Sequence, residues 1–354
     1  MPPALNLPYA AAESGGTGLI DTIGTPTLWA VSIVGVLALL AVDFVVTRKP
    51  HEVSMREAIG WSAFYIALPV TFGFFLLAQY GSERGVEYYT GYLVEKSLSV
   101  DNLFVFMLLL TAFAVPSALQ QRVLLYGIIG ALVLRSIFIA LGAAALANFT
   151  WVFLVFGLVL LLTGAKLMKD TIKGDEHTVD VENIRVVKLA RRFMPVTNDY
   201  DGTKMVTRID GVKHLTPFAL VIMAVFMTDI VFAIDSVPAV YGITNDPYLV
   251  FITNAFALLG LRALYFVLQG AVARLVHLGF GLAAILGFIG VKLVLHWAHT
   301  VWTGVPEIPT LLSLGVIVGI LALVTATSLY ATRDGAGSHG ADAEAKDDEA
   351  APLR

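Results

Sequence analysis

Cysteine is absent from all 354 residues of this chain. That excludes a disulfide framework, a thiolate metal site and a cysteine nucleophile. Charge is almost as scarce. Asp, Glu, Lys and Arg make up 14% of the sequence, where a soluble domain carries about 25%. No Lys or Arg occurs from Met1 through Gly24, ahead of the first apolar run, so neither a cleaved secretory signal nor a basic transit peptide is expected. A net charge of −4 over this length names no partner, and no nucleic acid is expected to bind.

Hydrocarbon takes the place of charge. Apolar residues make up 57% of the chain and the mean hydropathy is +0.79. Runs of about 18 to 25 apolar residues suit a tilted helix crossing a bilayer. Nine occur, at about 28–46, 59–80, 90–114, 123–147, 151–168, 215–241, 248–270, 275–298 and 309–330. The expected fold is all-α, a polytopic membrane protein with about nine transmembrane helices. Asn148, Phe149 and Thr150 alone separate the fourth run from the fifth, which predicts a tight turn.

Basic residues favour the cytoplasmic side of a membrane. Here they cluster in alternate connections: Arg48, Lys49 and Arg56; Arg122; Lys169 through Lys213; Arg274; Arg333. The intervening connections show only Arg84. The expected topology has the N-terminus outside and the C-terminus inside a bacterial cytoplasmic (inner) membrane. Segment by segment, 1–27 is an extracytoplasmic lead, 28–86 two leading helices, and 87–169 a first group of three. Residues 170–213 form a cytoplasmic loop of mixed charge, 214–299 a second group of three, and 300–331 the last helix. The Gly/Ala/Asp/Glu-rich stretch 332–354 reads as a disordered cytoplasmic tail.

Two stretches place carboxylates inside apolar runs with one spacing. Glu95 and Asp101, the latter followed by Asn102, match Asp229 and Asp235, the latter followed by Ser236. The match extends downstream. Arg135 precedes Gly164-Ala165-Lys166-Leu167 as Arg262 precedes Gly290-Val291-Lys292-Leu293, with 31 and 30 residues from Arg to Lys. The two groups of three therefore read as copies, and an odd helix count inserts the second upside down. Inverted repeats of this kind build transporters with sites near the midplane. Acids six apart lie about 9 Å apart along a helix. If Asp101 and Asp235 meet at the centre, the acids form a column: Glu95, the central pair, then Asp229. Pro238 offers a break beside Asp235, because it frees the carbonyl of Ile234.

An ionisable group in hydrocarbon is expensive and usually marks a pathway or site. Glu95, Asp101, Asp229 and Asp235, supplemented by Asn102, Ser99 and Ser236, make a hard oxygen donor set suited to Mn²⁺, Mg²⁺ or Ca²⁺. The plainer alternative is that these acids pair with Arg135, Arg262 or Lys96 to hold the bundle. Arg135 and Arg262 read either as counter-charges in an empty acidic cavity or as gates. Asp43, near the end of the first run, is an interfacial acid or a secondary ligand. Lys166 and Lys292 can snorkel. His296 and His299 could clip a metal, though anchoring beside Trp297 and Trp302 explains them equally well.

At these residues the chain resembles the TerC family, named for tellurium resistance, which includes the Alx-type manganese exporters. The matching text is Gly91-Tyr92-Leu93-Val94-Glu95-Lys96-Ser97-Leu98-Ser99-Val100-Asp101-Asn102-Leu103-Phe104, Thr228-Asp229 through Ile234-Asp235-Ser236-Val237-Pro238, Asn254 through Phe266, and His51-Glu52-Val53-Ser54. The resemblance implies a LysE-like fold and Mn²⁺ as the exported ion, with no cofactor. Carried over by position, it implies ligands at Glu95, Asp101, Asn102, Asp229 and Asp235, with Asp43 an extra. Many members carry Glu where this chain has Phe226. Tellurite itself is an oxyanion that a group of carboxylates would repel.

A transporter exporting Mn²⁺ by alternating access, with proton exchange as one coupling, is the expected function. No enzyme activity is expected: an intramembrane aspartyl protease would carry Tyr-Asp and Gly-x-Gly-Asp, and Val100 and Ile234 stand before the acids here. Alternatives are a LysE-like exporter of a small organic solute and a membrane partner of the secretion machinery. Membrane lipid is an expected neighbour, and homo-oligomerisation is left open.

Overall fold

The structure, a computed structural model, describes residues 22–46, 54–173, 192, 194–197, 199–209, 211–268, 277–302 and 304–349. Side chains at 46, 101, 104 and 332–349 lie outside that description, as do residues 1–21 and most of 174–198. It is a helical bundle with one small β-hairpin. The helices are α1 (Pro26–Val46), α2 (Met55–Ala112), α3 (Ser117–Asn148), α4 (Trp151–Lys173), α5 (Pro217–Tyr241), α6 (Pro247–Leu259), α7 (Leu261–Leu268), α8 (Leu278–Val301) and α9 (Thr310–Glu349).

Eight spans among the described residues are long and apolar enough to cross a membrane. One of them, α2, has 58 residues, far more than one crossing needs. It folds back at Gly81, whose φ of 85° is a conformation that favours glycine. The arms 55–80 and 82–112 then run side by side. Tyr88 and Tyr89 hydroxyls donate to the carbonyls of Pro69 (2.9 Å) and Val70 (2.7 Å). The second and third expected spans are thus the arms of one hairpin.

Local signals explain the helix starts. Ser54 accepts from the Glu57 amide at the head of α2 (3.3 Å). Thr216-Pro217 and Asp246-Pro247 open α5 and α6, each with a capping side chain followed by proline in the first turn. The turn expected between α3 and α4 is present: Asn148 ends one helix and Trp151 begins the next, with the Phe149 amide bonded to the Ala145 carbonyl (2.9 Å).

The breaks fall elsewhere than expected. Pro238 lies inside α5, which continues to Tyr241. It sits in the last turn, where the one lost ladder bond ends nothing of consequence. The seventh span breaks instead at Gly260, between α6 and α7. The last helix runs from Thr310 to Glu349.

Contacts define two ends of the bundle. At one, Asp43 of α1, Tyr65 of α2, Gln121 of α3 and Arg262 of α7 meet, and Thr171 of α4 lies against Gly279 of α8. The hairpin β1 (Val206–Ile209) and β2 (Val212–Leu215) leads into α5 at this end, which also bears the basic connections. At the other, Thr22 and Ile23 bind Asp246, Thr244 binds Glu87, and His296 packs on Phe153.

The closest helix pair is α4 with α8. A Cβ added at Gly164 would lie 3.0 Å from the Ala283 carbonyl, and one added at Gly290 would lie 3.0 Å from the Gly157 carbonyl. Gly164 and Gly290 are equivalent in the sequence match, and the same offset pairs Gly157 with Ala283. The two contacts are therefore reciprocal. Small residues let the backbones approach this closely.

Candidate functional site

Glu95, on the second arm of α2, and Asp229, midway along α5, both reach the guanidinium of Arg135, midway along α3. Nη1 of Arg135 donates to Glu95 Oε1, and Nη2 donates to Asp229 Oδ1 at 3.2 Å. All three side chains are essentially without solvent contact. Asn254 of α6 donates from Nδ2 to Glu95 Oε1 (2.9 Å). With its amide oriented to suit its neighbours, Asn102 accepts from Arg135 Nη2 (2.9 Å) and donates to the Leu98 carbonyl (3.1 Å). Four helices thus deliver one polar centre inside an apolar bundle.

Several oxygens of this centre have no hydrogen-bond partner among the described residues though fully buried: Glu95 Oε2, Asp229 Oδ2, Asn254 Oδ1, Ser99 Oγ and Ser236 Oγ. Ser99 lies one turn from Glu95 towards the basic end. Ser236 lies about two turns from Asp229 towards the opposite end. The unpartnered oxygens therefore extend along the bundle axis on both sides of the clamp. Asp235 is half-buried, within electrostatic range of Arg135 and Glu95.

The expected column of acids is not what the chain forms. Glu95 and Asp229, not Asp101 and Asp235, are level with each other, because both touch one guanidinium. The second arm of α2 and α5 run in opposite directions, so six residues onward from that level leads to opposite ends. The side chain of Asp101 lies outside the described residues. Among the described residues no three of His, Asp and Glu converge as a preformed metal site. A guanidinium stands between the carboxylates instead. Two carboxylates against one guanidinium leave one negative charge over, and the donors are hard oxygens of the kind that bind divalent cations.

The other candidates divide clearly. Arg262 pairs with Asp43: Nη2 donates to Asp43 Oδ1 (2.8 Å) and Nη1 to Gln121 Oε1 (3.3 Å). The Tyr65 hydroxyl also donates to Asp43 Oδ1 (2.9 Å). Asp43 is thus deeply buried among α1, α2, α3 and α7, near the basic end of the bundle. Its cluster lies about 21 Å from the central clamp, measured over the 14 residues of α3 between Gln121 and Arg135. Lys96 pairs with no acid among the described residues; its Nζ donates to the Ala257 carbonyl (3.4 Å), beside the Gly260 break. His296 contacts Glu307 (2.9 Å) and His299 the Val305 carbonyl (2.6 Å), so each meets the loop before α9 on its own. Phe226 sets its ring against Gly130. Three participants escaped the sequence reading, Asn254, Tyr65 and Gln121. None carries charge, and only the place of Asn254 in a matched segment pointed to it.

Comparison with known proteins agrees with these motifs. The integral membrane protein TerC family matches residues 80–336. An uncharacterized membrane protein of Myxococcus xanthus is 42% identical over 313 residues, covering 88% of this chain and 95% of that protein. An uncharacterized membrane protein of Mycobacterium tuberculosis (strain H37Rv) is 42% identical over 329 residues, covering 90% and 81%. The "Putative membrane-bound redox modulator Alx" of Escherichia coli (strain K12) is 38% identical over 315 residues, covering 86% and 94%. No solved structure matches. With the family match over most of its length and relatives of this identity, the chain belongs to the integral membrane protein TerC family.

Proposed function

We propose that this protein is a membrane transporter that exports a divalent cation, Mn²⁺ foremost, through the centre held by Arg135. One observation carries the reading: two buried carboxylates from matched motifs share one guanidinium while their second oxygens have no partner among the described residues. Leaving such oxygens unsatisfied is costly, and a dehydrated cation would satisfy them. Arg135 holds the place of the ion when the site is empty. A proton or a second cation can neutralise the remaining charge, which is where coupling would enter.

Alternating access is supported by the matched motifs and by the reciprocal α4–α8 contact. We read residues 87–169 and 214–299 as inverted copies, the α2 hairpin as two crossings and the bundle as nine. The basic connections then lie in the cytoplasm, with the N-terminus outside and the C-terminus inside the bacterial inner membrane. The Alx relatives are named for redox modulation. This chain has no thiol, and moving a redox-active cation is a route open to it.

Purified protein in liposomes, offered Mn²⁺, Mg²⁺ and Ca²⁺ with and without a pH gradient, tests the reading. Mn²⁺ transport is expected, reduced roughly tenfold or more by Asp229→Asn, which removes a charge from the binding centre. Lysine transport without competition from Mn²⁺ would favour the organic-solute reading. Absence of any cation flux from folded protein would end the transporter reading.

A further inference from the structure

Arg135 and Arg262 occupy equivalent positions in the two matched segments, yet they do different things. Arg135 holds the first acids of both motifs. Arg262 is drawn towards the basic end, onto Asp43 of α1, an element outside either copy. Tyr65 and Gln121 complete a buried cluster that ties α1, α2, α3 and α7 together. It lies between the central oxygens and the basic end. At the opposite end is a cavity of about 800 Å³, with Glu87, Thr244, Lys292 and Glu307 in its wall.

Three features mark Arg262 as a moving part. Its Nε is buried without a partner among the described residues, so the guanidinium is incompletely satisfied there. It sits two residues after Gly260, where the helix is interrupted, so α7 can turn relative to α6. Lys96 braces that interruption through the Ala257 carbonyl rather than through an acid. Inverted repeats change access by exchanging the conformations of their halves. Such an exchange would release Arg262 from Asp43.

We propose that the Asp43–Arg262 pair, oriented by Tyr65 and Gln121, is the gate that shuts the ion path on the side of the basic connections. Asp43 is in this view a positioning residue that holds Arg262 closed, not a ligand of the transported ion. The inference rests on the transporter reading for its purpose, but its test does not need a metal. The chain has no cysteine, so Ser99→Cys supplies a single thiol between the clamp and the gate. A small cationic, membrane-impermeant methanethiosulfonate is applied to inside-out and right-side-out vesicles.

In the Ser99→Cys background, Asp43→Asn is expected to speed modification from the side of the basic connections roughly tenfold, because half of a buried pair has been removed. Modification from the opposite side is expected to slow. Asp43→Glu, which keeps the charge, returns both rates towards the parent. A merely loosened fold would speed both sides together, and that result overturns the gate, as does an unchanged rate in folded Asp43→Asn protein. Should Asp43→Asn fail to fold, Tyr65→Phe removes one hydrogen bond and keeps the charge. It is expected to speed modification from the basic side by about twofold to fivefold, and no change there also overturns the gate. Opposed access changes in a protein that moves no cation would keep the gate and discard the transporter reading. Cation transport with unchanged access would do the reverse.

Discussion

Arg135 has no contact with solvent and two carboxylates on its guanidinium. Removing one partner from a buried ion pair is far more damaging than never having had the pair, because the remaining charge is left without water or counter-ion. Arg135→Met should therefore destabilise the protein by about 3–5 kcal/mol. Thermal unfolding in detergent would register this as a clear fall in midpoint, with Arg135→Lys intermediate because an ammonium cannot reproduce the fork. A midpoint unchanged in Arg135→Met would mean that the guanidinium does not hold the centre together. The residues of this centre were mostly visible beforehand, since a charge inside an apolar run announces itself. Their pairing was not. Which acid stands level with which depends on the register of α2 against α5, and single-chain spacing does not contain that register. Asn254 was hidden for a simpler reason: an amide in an apolar helix raises no alarm until its partner is known.

Helix–helix contact in lipid depends on how closely backbones approach. At Gly157 an added Cβ would lie 2.9 Å from the Gly290 carbonyl and 2.8 Å from a Val294 methyl. Carbonyl oxygen belongs to backbone and cannot swing aside. Gly157→Ala should therefore part α4 from α8 and cost about 1–3 kcal/mol. Gly35→Ala, where an added Cβ meets nothing within 4 Å, is the matched control and should leave unfolding unchanged. Equal midpoints for the two variants would show that the α4–α8 contact is not tight. The existence of the apolar helices was legible, because spans of this hydropathy have few alternatives, whereas the β-hairpin fell inside a stretch read as loop. Interruptions were less so. Proline suggested a break at Pro238, but position within the last turn made it harmless. Gly81 and Gly260 carry the real discontinuities, and a glycine in an apolar run looks much like any other small residue.

With the α2 hairpin read as two crossings, an odd number of crossings separates Thr25, just before α1, from the β-hairpin. Under the proposed topology these two places face opposite sides of the membrane. Single substitutions Thr25→Cys and Ile209→Cys, at exposed positions, should react with an impermeant maleimide from outside and from the cytoplasm respectively. Labelling of both from one side would remove the inverted arrangement, and with it the reason for the two halves to exchange conformations. The gate and the central clamp belong to this scale too. They are two buried ion pairs stacked along one axis, and only the packing of α1 against the rest makes the second of them possible.

Composition and spacing alone were enough to establish a multi-pass helical membrane protein with acids of two matched motifs at its heart. Hydrophobic length and the cost of charge in hydrocarbon act within single segments, so a linear reading captures them. What the tertiary structure decided was which charges meet: Glu95 and Asp229 on Arg135, Asp43 on Arg262. Those pairings join residues 40 to 219 positions apart. They arise from helix register and close backbone approach, which depend on all the helices at once.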